Sequence, residues 1–207
     1  MILNLLLLES CNKKESDNKP ITNIGGVNGK KPILALKGKE WLTTCLRMKD
    51  QEGVEVLEYK AKIVFKNETQ FSSYTTQFRQ NVFSGCVDEH KDFTFEYSGT
   101  YKISNGEILF DVTNIYETPL SENALNINLG LYNIPDYPLD LSEEGDEPIS
   151  VLPVPYCGIS DWAIDVRKEI TGLTCWEEVN EPFTTSFKFQ AYDEFITLDE
   201  DRYDLVK

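Results

Sequence analysis

Histidine is almost missing from this chain: His90 is the only one in 207 residues. Imidazole is the commonest biological general base, so its scarcity removes most nucleophile–base arrangements. The serine motif that invites attention, GISDW at 158–162, lacks the second glycine of a nucleophile elbow, because Trp162 stands in its place. Positive charge is also short. Twenty Lys and Arg face 35 Asp and Glu, for a formal charge of −15. With no basic stripe to displace counterions from phosphates, a nucleic-acid partner is excluded, and an anionic membrane surface is a poor fit. No C-x-x-C occurs, which removes the usual zinc-ribbon spacing. The apolar run at residues 2–8 is far short of the ~20 residues that span a bilayer. Helical periodicity is nearly absent. What the chain does have is apolar and aromatic mass: 41% hydrophobic residues, 11 Phe and 10 Tyr are enough for a real core, and the length suits one domain.

The N-terminus reads as a processing signal. Residues 5–11 are LLLLESC, an apolar run that stops at a cysteine with small Ser10 before it and Leu8 three positions back. A short apolar segment of this kind suits the end of a signal-peptide hydrophobic region. The LLLLESC stretch resembles the lipobox of bacterial lipoproteins, which implies cleavage before Cys11 and lipidation of its thiol; residues 1–10 are then a signal-peptide remnant. Residues 12–32 (NKKESDNKPITNIGGVNGKKP) are polar and without apolar periodicity, the composition of a solvated tether. The competing reading is a chance apolar start on a protein that is never exported.

Four cysteines remain after Cys11, namely Cys45, Cys86, Cys157 and Cys175. An even number in a chain with an export signal suggests two disulfides. Of the three possible pairings we favour Cys45–Cys86 with Cys157–Cys175, because each pair brackets one compact stretch of sequence. Zinc binding is the rival use of these cysteines, with His90 its only histidine.

The body alternates as strands do. WLTTCLRM (41–48), VEVLEYKAKIVFKN (54–67), TQFSSYTTQF (69–78), FTFEYSGTYKIS (93–104), EILFDVTNIY (107–116), TTSFKFQAY (184–192), EFITL (194–198) and DRYDLV (201–206) are rich in β-branched and aromatic residues. Asn105-Gly106 between two of them is a strong hairpin signal. A short helix is expected over 160–169, capped by Ser160. Many short strands in series predict an all-β fold, an antiparallel barrel or sandwich. Residues 118–160 differ: they hold six of the nine prolines and the acidic tract DYPLDLSEEGDEP (136–148). Proline does not sit in central strands, so this is a long Pro- and acid-rich insertion, about 118–172, in a single domain over 33–207.

One ordered set of motifs carries a resemblance. Trp41-x-x-x-Cys45, the I-x-F strand at Ile63 and Phe65, Cys86, then YSGTYKI at 97–103 resemble a group of small bacterial secreted proteins and lipoproteins with a lipocalin-like β-barrel. The similarity covers roughly residues 38–115. It implies a lipocalin-like fold, a Cys45–Cys86 pairing and a cell-envelope location, and it brings no functional residues.

Ionic and aromatic candidates follow from the residues. Glu143, Glu144, Asp146 and Glu147, or Asp199, Glu200, Asp201 and Asp204, offer hard oxygen ligands to Ca2+, although neither cluster matches an EF-hand. Tyr132, Tyr137, Tyr156, Trp162 and Trp176 gather in and around the insertion, either as a ligand-stacking platform or as packing that ties the insertion down. The sequence thus predicts a lipid-anchored envelope protein with a non-catalytic binding role. Its ligand is expected to be a small apolar molecule in or at the mouth of the barrel. The alternative is a surface interaction protein, an adhesin or inhibitor, that presents residues 118–172 to a protein or glycan. A hydrolase built on paired carboxylates is a third possibility.

Overall fold

A computed structural model describes residues 36–49, 53–80, 82–131, 154–175 and 178–207. Its strands are β1 (Glu40–Leu42), β2 (Leu46–Lys49), β3 (Glu55–Phe65), β4 (Gln70–Phe78), β5 (Lys91–Ser104), β6 (Glu107–Pro119), β7 (Lys168–Glu169), β8 (Thr174–Cys175), β9 (Glu178–Val179), β10 (Phe183–Ala191), β11 (Phe195–Leu198) and β12 (Asp201–Leu205). One α-helix, α1 (Glu122–Asn128), follows β6.

Eight of these strands close on themselves. The antiparallel ring runs β1-β12-β11-β10-β6-β5-β4-β3 and returns to β1, with Trp41 opposite Leu205 on one side and Ile63 on the other. The all-β barrel expected from the alternation is therefore the fold. Closure leaves no sheet edge around the ring, which removes the usual route to edge-to-edge association. β2 and β7 lie outside the ring, extending it at one end: β2 pairs with the first half of β3, and β7 with the second half of β6.

The two-residue period decides what faces inward. Ala61, Ile63 and Phe65 of β3 are buried, while Lys60, Lys62 and Val64 between them face out. The same phase puts Phe71, Tyr101, Ile108, Phe110, Val112, Phe187, Phe189, Ile196, Leu198 and Tyr203 in one core with Trp41. Rings meet across it: Phe65 with Tyr101 at 4.8 Å, Phe71 with Phe110 at 4.5 Å and Phe110 with Phe187 at 6.0 Å between centroids. These side chains form one contiguous core cluster inside the barrel.

Asn105 and Gly106 take φ of 54° and 80°, so the β5–β6 hairpin closes through the left-handed pair its sequence requires. The glycine of the YSGTY motif has a different cause. Between Ser98 and Gly99 the β5–β6 register shifts, and a Cβ on Gly99 would run into the carbonyl of Asp111.

Two expectations are corrected. Residues 160–169 are not a helix. The Asp165 amide goes to the Pro119 carbonyl, the Ile170 amide to that of Ile115, and Asp165 takes φ of 60°, so β6 claims the backbone a helix would need. The single strand expected over 41–48 is split into β1 and β2. Buried Thr43 is bonded to Ala61 twice, through its amide and through its hydroxyl, and that double contact breaks the ladder.

Candidate functional site

Both disulfides are formed in the favoured pairing, Cys45–Cys86 and Cys157–Cys175. Glu58 lies beside the first, its carboxylate and the two sulfurs within 4.8 Å of one another. That cluster is not a zinc site, because the sulfurs are bonded to each other. Glu58 Oε2 instead accepts the amides of Ser84, Gly85 and Cys86 at 3.0, 2.8 and 2.9 Å. Burial alone would raise this carboxyl, but the three amides and Arg47 hold it below the usual carboxylate range. The same loop brings Ser84 Oγ within 2.8 Å of His90 Nδ1. A nucleophile–base pair needs amides free to face an oxyanion. Here the neighbouring amides face Glu58, so this contact fastens a loop.

A second constellation lies where the insertion leaves the barrel. Ser121 caps α1 by accepting the Ala124 amide at 3.0 Å and donates its hydroxyl to Asp92 of β5 at 2.6 Å. Asn123 adds a bond to the same carboxylate at 2.9 Å. The helix ends in a Schellman motif, with Leu131 N bonded to Asn126 O and Gly130 N to Ile127 O. Gly130, at φ 69°, passes so close to residue 154 that a Cβ there would sit 2.7 Å from the Val154 carbonyl oxygen. Residues 130 and 154 thus form a neck, and residues 131–153 are the chain between its two sides.

Glu117 sits under that neck. It is 1% exposed, and Asn128 at the end of α1 donates Nδ2 to its Oε1 at 2.7 Å. The Tyr156 phenol, just past the other side of the neck, lies close enough to this carboxyl to favour its ionised form. Oε2 has no hydrogen-bond partner within reach among the described residues. Loss of water pushes the carboxyl up to about 7, and Asn128 and Tyr156 restrain that rise only in part. Burial and the nearby Glu117 raise the Tyr97 phenol as well. The carboxyl is a proton-binding group close to neutrality.

The third feature is the outer face of β3–β6. Register places Leu42, Lys62, Tyr74, Glu96 and Tyr116 in one row across five strands. Beside it runs a second row, Lys60, Thr76, Thr94 and Thr118. Lys62 Nζ lies 4.6 Å from the Tyr74 ring centroid, and the Arg167 guanidinium lies 3.7 Å from that of Tyr116 while bonding Glu96 at 2.7 Å. Lys60 donates to the Cys86 carbonyl at 3.2 Å and has no carboxylate partner among the described residues. A groove of about 400 Å³ opens here, lined by Lys60, Lys62, Lys91 and Asp88 with Leu42, Tyr74, Phe78 and the threonines 76 and 94. Asp88, in the same groove, pairs with Lys91 at 2.9 Å, and Glu40 lies 3.9 Å from Lys62, so Lys60 is the groove lysine left without a carboxylate partner among the described residues.

Of the aromatic candidates, Tyr156 and Trp162 are 6% and 5% exposed and belong to the core; Trp162 Nε1 donates to the Tyr156 carbonyl at 3.2 Å. Both are packed against the barrel core on the returning side of the insertion. Asp199, at φ 52°, accepts the Lys188 amide at the β11–β12 turn, and Asp204 pairs with Arg202. Cys11, Tyr132, Tyr137, Glu143, Glu144, Asp146, Glu147 and Trp176 lie outside the described residues. Sequence reading passed over Glu58, Asp92 and Glu117, although Glu117 carried a signal: it shares the apolar phase of Ile115 and Pro119. No family model matches the chain, and no curated protein matches it either.

Proposed function

We propose that this chain is a bacterial envelope lipoprotein, anchored through Cys11, whose filled barrel is a rigid scaffold for binding an acid-bearing glycan on its outer surface. It does no chemistry on that partner. The observation that carries the reading is the packed interior: rings from five strands occupy the space a small apolar ligand would need. Binding is therefore assigned to the outside, and the interaction role is preferred to that of an apolar carrier. Lys60, which has no carboxylate partner among the described residues, supplies the charge with Lys62 beside it, while the hydroxyl row and Tyr74 and Tyr116 suit the polar and flat faces of a sugar. Arg167 of the returning chain, bonded to Glu96 and set over the Tyr116 ring, borders this face.

Against catalysis stands the use made of each buried carboxylate. Glu58 holds amides, Asp92 holds the start of α1, Glu96 accepts Arg167 and Ser72, and Glu117 accepts Asn128. The test is calorimetric titration with heparin as an acidic glycan, dextran as a neutral one and polyglutamate as an acidic polypeptide. Heparin alone should bind, with an affinity that falls steeply with salt, and K60E/K62E should abolish it without changing Tm. Equal binding by polyglutamate, or binding untouched by the double reversal, contradicts the assignment.

A further inference from the structure

Glu117 lies under the neck at residues 130 and 154. It is bonded to Asn128 on the outgoing side and close to the Tyr156 phenol on the returning side, so one carboxyl on β6 stands between the two. Asp92 holds only the start of α1, and the Cys157–Cys175 disulfide holds only the returning chain.

Among the described residues no cation is bonded to this carboxyl. Tyr97 faces it from β5, and Tyr156 from the returning turn, with Glu178 of β9 acting on Tyr156 from behind. Lys168 is opposite Glu117 on β7, but its ammonium is bonded to Asp161 at 2.6 Å. One carboxyl oxygen is left with no partner among the described residues. Such a group is comfortable in its neutral form and, once ionised, gains by reaching water.

We propose that Glu117 is a proton-operated clamp on the neck: neutral, it holds the end of α1 against the Tyr156 turn, and ionised, it lets them part. The inference concerns the barrel's own residues and stands whether or not the insertion touches a glycan. Its direction follows from linkage. Opening returns the carboxyl from about 7 toward the 4.5 of a hydrated glutamate. Closure is thus fully favoured below pH 4.5, is lost progressively as pH rises toward 7, and changes no further above it. The difference corresponds to roughly a 300-fold change in the opening equilibrium, about tenfold per pH unit.

The test is amide hydrogen exchange from pH 4.5 to 8, corrected for intrinsic rates, read at Leu129–Leu131 and Gly158–Ile159. Protection there should fall by two orders of magnitude up to pH 7 and then level, while strands β4 and β10 hold steady. E117Q, which keeps an acceptor for Asn128 and cannot ionise, should give flat protection at the neck. Should E117Q not fold, carbon-detected NMR of the unaltered protein decides: one glutamate carboxyl must titrate near 7 with the Asn128 side-chain amide moving at the same midpoint. Neck protection independent of pH in the unaltered protein, or no glutamate titrating above 6, overturns the clamp. A pH-dependent loss that E117Q shares overturns it as well.

Discussion

Asn128 Nδ2 donates to Glu117 Oε1 at 2.7 Å, joining the last residue of the only described α-helix to the inward face of the strand that precedes it. This bond stabilises the carboxylate more than the acid, and the nearby Tyr156 phenol acts in the same direction. Removing either donor should move the Glu117 titration upward, above about 7. N128A and Y156F are each expected to do so in carboxyl-detected NMR. A midpoint that falls in either variant contradicts the assigned geometry.

The two staples should differ modestly in worth. Cys45–Cys86 closes a separation of 41 residues and Cys157–Cys175 one of 18. Loop-closure entropy gives about 4 kcal/mol for the first and about 3 kcal/mol for the second. Denaturant unfolding of C45S/C86S and C157S/C175S should reproduce that order. The second variant should retain the cooperative barrel transition, since its loop lies outside the ring.

Glu58 predicts a dependence on acid. Its folded carboxyl lies below the ordinary value, so the stability it contributes is present above pH 4.5 and is lost as pH falls through the folded value. E58Q should be less stable at neutral pH by about 2 kcal/mol, because three backbone amides lose a charged acceptor. Chemical denaturation from pH 7 to 3 should show the variant approaching the unaltered protein as the medium becomes more acidic. Parallel curves with a constant offset would refute this role.

Gly99 tests the packing of the YSGTY motif. Alanine there places a methyl against the Asp111 backbone, where no flexible side chain can give way. A loss of about 1–3 kcal/mol is expected from overpacking. G106A probes an open turn and makes a useful contrast, since its cost comes from positive φ alone.

Much of the barrel was readable from alternation. On β3, β5 and β6 the apolar positions stand two apart for long runs, and the Asn105-Gly106 turn fixes how β5 returns as β6. The cysteine pairing followed from which pairs bracket compact segments. The helix expected at 160–169 failed because its amides are taken by carbonyls on β6, a partner some 50 residues earlier that no local pattern announces. The real helix at 122–128 went unseen for the opposite reason: it is short, and its ends are held by Asp92 and Glu117 from the sheet. The outer face was hidden too. Lys62, Tyr74, Glu96 and Tyr116 are separated by 12 to 22 residues in the chain and become neighbours only through register. Glu117 could have been noticed as a charge on an apolar phase, but its meaning depends on a neck formed by residues 130 and 154.

The central claim is that this barrel is full and works from its outer surface. Native mass spectrometry of the protein released from its own membranes by mild detergent tests it most directly. The account predicts a diacylglycerol-modified chain beginning at Cys11, four hydrogens lighter than its reduced form, with nothing else bound inside. A discrete apolar molecule that stays with the protein in the gas phase and leaves on denaturation would contradict it.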